Sequence, residues 1–201
     1  FGTLKQYQHA YASTLSGQVR LNVMMARSRG YDTARAAYMD KDDIDERVYD
    51  NLVSTVNANL APLHRYVALR KKIMGVDELH IYDMYTSIVA AVPMRFTYED
   101  AVRILPEALA PLGKDYVEVL SKGLDVDNGW LDLYPHKDKE SGAFCCSVFG
   151  VHPFVKMNYY EEYDDLSTLA HEYGHALHSD MAMASQPYVT SGYSAFLAEI
   201  A

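Results

Sequence analysis

Apolar residues recur every three or four positions through most of the first 75 residues and again near the end, which predicts a largely helical chain. Over 4–29, Leu15, Val19, Val23 and Met24 keep that spacing, and Arg29-Gly30 closes the run. A short helical piece at 33–39 leads into an acidic turn at 40–43. A long helix is expected over 44–74, carrying Val48, Leu52, Val56, Leu60, Leu63 and Val67, with Pro62 placed to kink or split it. Arg70, Lys71 and Lys72 followed by Gly75 are the cations and the glycine expected at a helix C-terminus.

After a tyrosine-rich connection, Thr97 with an acid three residues on reads as a helix N-cap. That helix runs to about 120, broken near Pro106 or Pro111 and ended by Gly123. The character then changes. Segments 129–134, 143–149 and 153–160 are short, aromatic or β-branched, and separated by turn residues, so three strands of a small sheet are expected. Helix returns at 164–179, and 196–201 begins another. The fold class is therefore mainly α with one small β-sheet, organised as a helical part over 1–125 and a sheet-plus-helix part over 126–201, together forming one continuous region.

The 164–179 helix holds the pattern His171-Glu172-Tyr173-Gly174-His175. At 100° per residue Leu166, Leu169, Ala170, Tyr173 and Leu177 share one stripe, and His171, His175 and His178 fall on the other side, with Glu172 at the edge of that face. Residues four apart stand about 6 Å apart along a helix, so two imidazoles can converge on one ion without straining a loop. A glutamate beside the first ligand can reach water at the metal without binding the metal itself, which suits a general base. A catalytic zinc takes three protein ligands and leaves a position for water. Downstream of His175, with His178 set aside, the carboxylate candidates are Asp180 and Glu199. Asp180 points away from the His171/His175 line, whereas Glu199 lies in an apolar helical run where a cation would offset its burial. The expected ligand set is His171, His175 and Glu199, one Zn2+ per chain, with Glu172 catalytic. His178 is expected to pack or to orient a ligand, not to bind the metal. The competing reading is a solvated histidine face near a helix C-terminus, favoured by the helix dipole.

Composition narrows the function classes. Hydrophobic residues make up 49 % of 201 and charged residues 22 %, a globular profile. With 18 Lys+Arg against 27 Asp+Glu the net charge is −9, which argues against nucleic-acid and anionic-membrane partners. The longest stretch free of strongly polar residues, 88–94, is too short to span a bilayer. Two adjacent cysteines, Cys145 and Cys146, are poorly placed to bridge each other, so a reducing, cytoplasmic setting is expected. Both ends of the chain read as helix entered or left partway, as in a piece of a longer protein.

The run His171-Glu172-Tyr173-Gly174-His175-Ala176-Leu177-His178, with Phe196-Leu197-Ala198-Glu199-Ile200-Ala201 downstream, resembles the oligoendopeptidase F branch of the thimet-oligopeptidase-like zinc peptidases. Arg27-Ser28-Arg29-Gly30-Tyr31, Leu79-His80-Ile81-Tyr82-Asp83, Ser141-Gly142-Ala143-Phe144 and Gly150-Val151-His152-Pro153 are similar to that family as well. The resemblance implies a helical, zincin-like metalloendopeptidase acting on oligopeptides. It implies Glu199 as third ligand, Glu172 as base, and substrate contacts at His152, Gly142 and Ala143. The strand near 152–160 would border the cleft and pair with the substrate backbone; His152, held extended before Pro153, is equally suited to a structural hydrogen bond. In that family, His and Tyr groups that stabilise the tetrahedral intermediate follow the third ligand, and this chain stops two residues beyond it, so turnover by these 201 residues alone is expected to be weak. The alternatives are a zinc-binding but catalytically incomplete chain, and a helical binding protein with a chance motif. The oligomeric state is left open.

Overall fold

A computed structural model describes residues 2–89 and 94–200. Residues 90–93 of the apolar run 88–94, and Ala201 of the expected terminal helix, lie outside the described residues. The chain divides into two compact units, 1–90 and 91–201.

The first unit is helical: α1 (Gly2–Gln6), α2 (Gln8–Ser28), α3 (Ala34–Asp40), α4 (Glu46–Ala58), α5 (Ala61–Met74) and a 3-10 turn (Ile81–Tyr85). The long segment predicted around Pro62 is split, not kinked. Pro62 sits in the first turn of α5, where its missing N–H and fixed φ are compatible with a helix start, and Asp45 caps α4 by accepting from the Arg47 amide. Gly75 ends α5 in the left-handed region at φ 65°, its N–H reaching the Lys71 and Lys72 carbonyls. Arg70 departs from its expected part as a cation near the helix end. It is buried, and its guanidinium ties the 81–85 turn to α5 by donating to the Asp83 and Thr86 carbonyls and to the Tyr66 hydroxyl.

The second unit contains α6 (Tyr98–Ala108), α7 (Lys114–Leu124), β1 (Leu131–Asp132), β2 (Phe144–Cys146), β3 (Phe154–Lys156), α8 (Tyr163–Ser185) and α9 (Ala195–Ala198). Thr97 caps α6 in a reciprocal box with Asp100, as its spacing predicts. Pro106 does not break that helix; it lies near its end, and the interruption falls at a 3-10 turn (Ala110–Leu112) followed by Gly113 at φ 107°. Gly123 does not end α7 but lies inside it. A Cβ there would meet Tyr173 Cε1 at 2.6 Å and Trp130 Cε3 at 2.8 Å, so this glycine is a close-approach residue and not a stop signal.

The expected three strands form one sheet in the order β1-β3-β2, with β1 parallel and β2 antiparallel to β3. Leu131 pairs with Val155, and Cys145 pairs with Val155 from the other side. The core lies between this sheet, α6, α7 and one face of α8, where Leu120, Leu124, Val155, Leu169, Tyr173 and Leu177 are almost fully buried. α8 runs six residues past its predicted end because 180–185 continues in helix-compatible residues until Pro187 restricts the residue before it. Among the described residues no helix is long and apolar enough to cross a membrane.

Candidate metal centre

The sheet and α7 fix the position of α8, and α8 fixes the histidines. Tyr173, between the two candidate ligands in sequence, is buried and donates from its hydroxyl to the Gly123 carbonyl at 2.6 Å. Leu166, Leu169 and Leu177 fill the same face, which turns His171, His175 and His178 outward to half-buried positions. The Glu162/Asp165 capping box holds the N-terminus of α8, and Asp165 also accepts from the Tyr160 amide at 2.8 Å.

His171 and His175 meet edge to face, with Nε2 atoms 3.0 Å apart. Glu199, at the C-cap of α9, brings Oε2 within 3.6 Å of His171 Nε2. One donor atom from each of the three lies within 4.8 Å of the others. Two ligands on a tetrahedral zinc at the usual bond lengths stand about 3.3 Å apart, so spacings of 3.0 and 3.6 Å fit a shared ion. Two imidazole nitrogens this close need a proton or a cation between them, and two imidazoles with a carboxylate are ligand types that a borderline ion such as zinc accepts.

Glu172 is buried, more than its expected place at the edge of the histidine face suggests. Burial pushes its carboxyl above the ordinary carboxylate value; His175, His171 and the Cys145 backbone act in the opposite direction, and Glu199 adds to the rise. His178 stands outside the three-donor group, stacked on Tyr193 with ring centroids 3.7 Å apart. Beside the donors opens a cavity of about 780 Å³, bordered by His175 and Glu199, by Cys145 and Phe149 from the β2 side, and by Tyr188 and Tyr193 from the chain between α8 and α9.

The remaining expected contacts lie elsewhere. Gly142 and Ala143 line a separate cavity of about 340 Å³ with His136, Lys139 and Asn158, and the Gly142 carbonyl accepts from Asn158 Nδ2 at 2.9 Å. His152 stacks on Trp130, centroids 5.6 Å apart, with Nδ1 2.8 Å from the Pro153 carbonyl oxygen. Within the segment 152–160 expected to pair with substrate, residues 154–156 form β3, the central strand, which is paired on both sides and so has no free edge there for a substrate backbone. Among the described residues β2 has one unpaired edge. Sequence reasoning passed over Tyr193 and Ser179. Tyr193 is one of 17 tyrosines and carries no spacing signal, and a buried serine on a histidine-rich face has none either.

The chain is 44 % identical over all 201 residues to Oligopeptidase PepF of Bacillus subtilis, matching 30 % of that protein's length. It is 40 % identical over 201 residues to Group B oligopeptidase PepB of Streptococcus agalactiae, matching 33 % of it. A Chlamydophila abortus protein of solved structure superposes with a TM-score of 0.77 at 32 % identity, over 98 % of this chain and 33 % of that one. The chain thus spans about a third of the length of the curated relatives it matches. With the family model for peptidase family M3 matching residues 2–201, the chain belongs to that family.

Proposed function

We propose that this chain carries the zinc centre of a cytoplasmic endopeptidase that cleaves oligopeptides. The observation that carries the reading is the convergence of His171, His175 and Glu199 on one point, with Glu172 held on the same helix. A zinc ion in that donor set would polarise a scissile carbonyl and bring the acidity of water close to neutrality. Glu172 is the general base: its carboxylate takes the proton of the attacking water and returns it to the leaving amine. The free edge of β2 offers backbone N–H and C=O groups to an extended peptide, so β2, in place of β3, is the strand proposed to align the substrate. Membership of a peptidase family and similarity to two proteins named as oligopeptidases support peptides as substrates. Two free thiols, Cys145 and Cys146, support a reducing compartment.

Elemental analysis beside a peptide-cleavage assay tests this. The expected result is about one zinc per chain, lost in Glu199→Ala. Glu172→Gln keeps the zinc and lowers cleavage by about 10²–10⁴-fold. Unchanged cleavage by Glu172→Gln with zinc still bound would overturn the assignment of the base.

A further inference from the structure

Glu199 reaches the histidines by a detour. α8 continues ten residues past His175, and the chain then reverses through 186–194 before the single turn of α9. Nothing on α9 is buried, and the Glu199 side chain is 74 % exposed, so packing of the helix itself does not fix the carboxylate. Among the described residues a single hydrogen bond ties 187–200 to α8, between Ser179 Oγ and the Tyr193 hydroxyl at 2.7 Å; the Thr190 hydroxyl reaches back only as far as Gln186. The same tyrosine ring lies flat on the His178 imidazole, 3.7 Å away and tilted by 12°. Ser179 is buried, and His178 and Ser179 follow His175 by three and four residues, so they share its side of α8 one turn on. The next anchor, Tyr188 edge-on to Phe149 at 5.4 Å, is farther from Glu199 along the chain and is largely exposed.

We infer that Tyr193 is the positioning residue for Glu199. Its ring is clamped against α8 by stacking on His178 and by the bond to Ser179, which fixes where the reversing chain delivers the third donor. An exposed carboxylate on a one-turn helix otherwise samples many positions, and holding the chain six residues upstream removes much of that freedom before any ion arrives. Tyr193 acts through the backbone, not by touching a reacting atom. The inference rests on the metal reading above.

The test compares wild type with Tyr193→Ala, Tyr193→Phe, Ser179→Ala and Glu199→Ala in three measurements. These are amide exchange of 186–200 in metal-free protein, zinc affinity by chelator competition, and the visible spectrum of the Co2+ form. Tyr193→Ala is expected to speed exchange over 194–200 while 163–179 keeps its protection, to weaken zinc binding about 10–100-fold, and to alter the cobalt spectrum. Tyr193→Phe keeps the stack and recovers part of the affinity. Ser179→Ala removes the same hydrogen bond from the other side and should match Tyr193→Phe. If Tyr193→Ala does not fold, these two milder variants decide: a shared loss supports the clamp, and wild-type affinity in both overturns it. Unchanged exchange, or unchanged affinity and spectrum, in a folded Tyr193→Ala overturns the inference and leaves the metal reading intact, provided wild type binds zinc and Glu199→Ala does not. Absence of zinc uptake by wild type removes the metal reading, and the inference falls with it.

Discussion

The adjacent thiols of β2 show how far one residue of register changes a side chain's chemistry. Alternation along the strand turns Cys145 toward the core and the cavity and leaves Cys146 exposed, as period-two geometry requires. Burial pushes the Cys145 thiol up to about 11; a contact to Ser147 works against that rise and the Glu172 charge adds to it. Because the thiolate is the reactive form, iodoacetamide at pH 8 is expected to label Cys146 and largely spare Cys145. In a Cys146→Ser variant, the remaining thiol should stay slow until the pH approaches 11. Mass spectrometry of the labelled peptides reads both outcomes, and equal labelling of the two cysteines at pH 8 would contradict the burial. The linkage has a definite sign. Below about pH 8.5 the Cys145 thiol is protonated in folded and unfolded chains alike, so its contribution to stability is fully present. Between that pH and about 11 the unfolded chain ionises first, and the contribution is lost as pH rises.

At the scale of elements, the contact between α7 and α8 carries the metal helix, and Gly123 is where it is tightest. Alanine is ordinarily favoured over glycine in a helix by up to about 1 kcal/mol. At Gly123 that gain is outweighed, because a Cβ would lie 2.6 Å from the Tyr173 ring and 2.8 Å from the Trp130 ring. Tyr173 cannot swing aside without stretching its hydrogen bond to the Gly123 carbonyl, and overpacking of this kind costs about 1–3 kcal/mol. Gly123→Ala should therefore lower the urea-unfolding free energy of the second unit by about 1–2 kcal/mol. Gly17→Ala in α2, where nothing lies within 4 Å, should leave stability unchanged or raise it. The same pair shows what is legible in sequence. Helix faces, the Thr97 cap, the split at Pro62, the three strands and the shared helix face of His171 and His175 follow from periodicity, spacing and local backbone chemistry, which nearby residues determine. The role of Gly123, the buried guanidinium of Arg70, the central place of β3 and the stacking of Tyr193 on His178 depend on partners distant in sequence or on strand order. No local pattern encodes those, so a glycine reads as a stop and an arginine as a dipole cation.

Across the whole molecule, apolar burial is unevenly distributed. The second unit buries a continuous cluster that runs from Tyr98 on α6 through the sheet to Leu177 on α8. In the first unit, the buried residues among those described are Ala26, Met39 and Arg70, and the apolar stripe that identifies its helices in sequence stays largely open, with Leu15 67 % and Val56 53 % exposed. Local opening is easiest where few apolar side chains are buried and backbone hydrogen bonds face water. Amide exchange of the 201-residue chain, read by mass spectrometry, is therefore expected to be fast over α2, α4 and α5 and slow over β3 and the middle of α8. Capping by Asp45 and Gly75 raises local helix formation, but each cap stabilises only one helix end, whereas loss of a buried Leu or Val surface costs roughly 1.5–3 kcal/mol per residue. Packing should therefore dominate the contrast. Equal protection of the two units would mean that the open stripes of α2 and α4 are covered in solution, and the oligomeric state of the chain, measured by light scattering over a concentration series, would then show whether a second copy covers them.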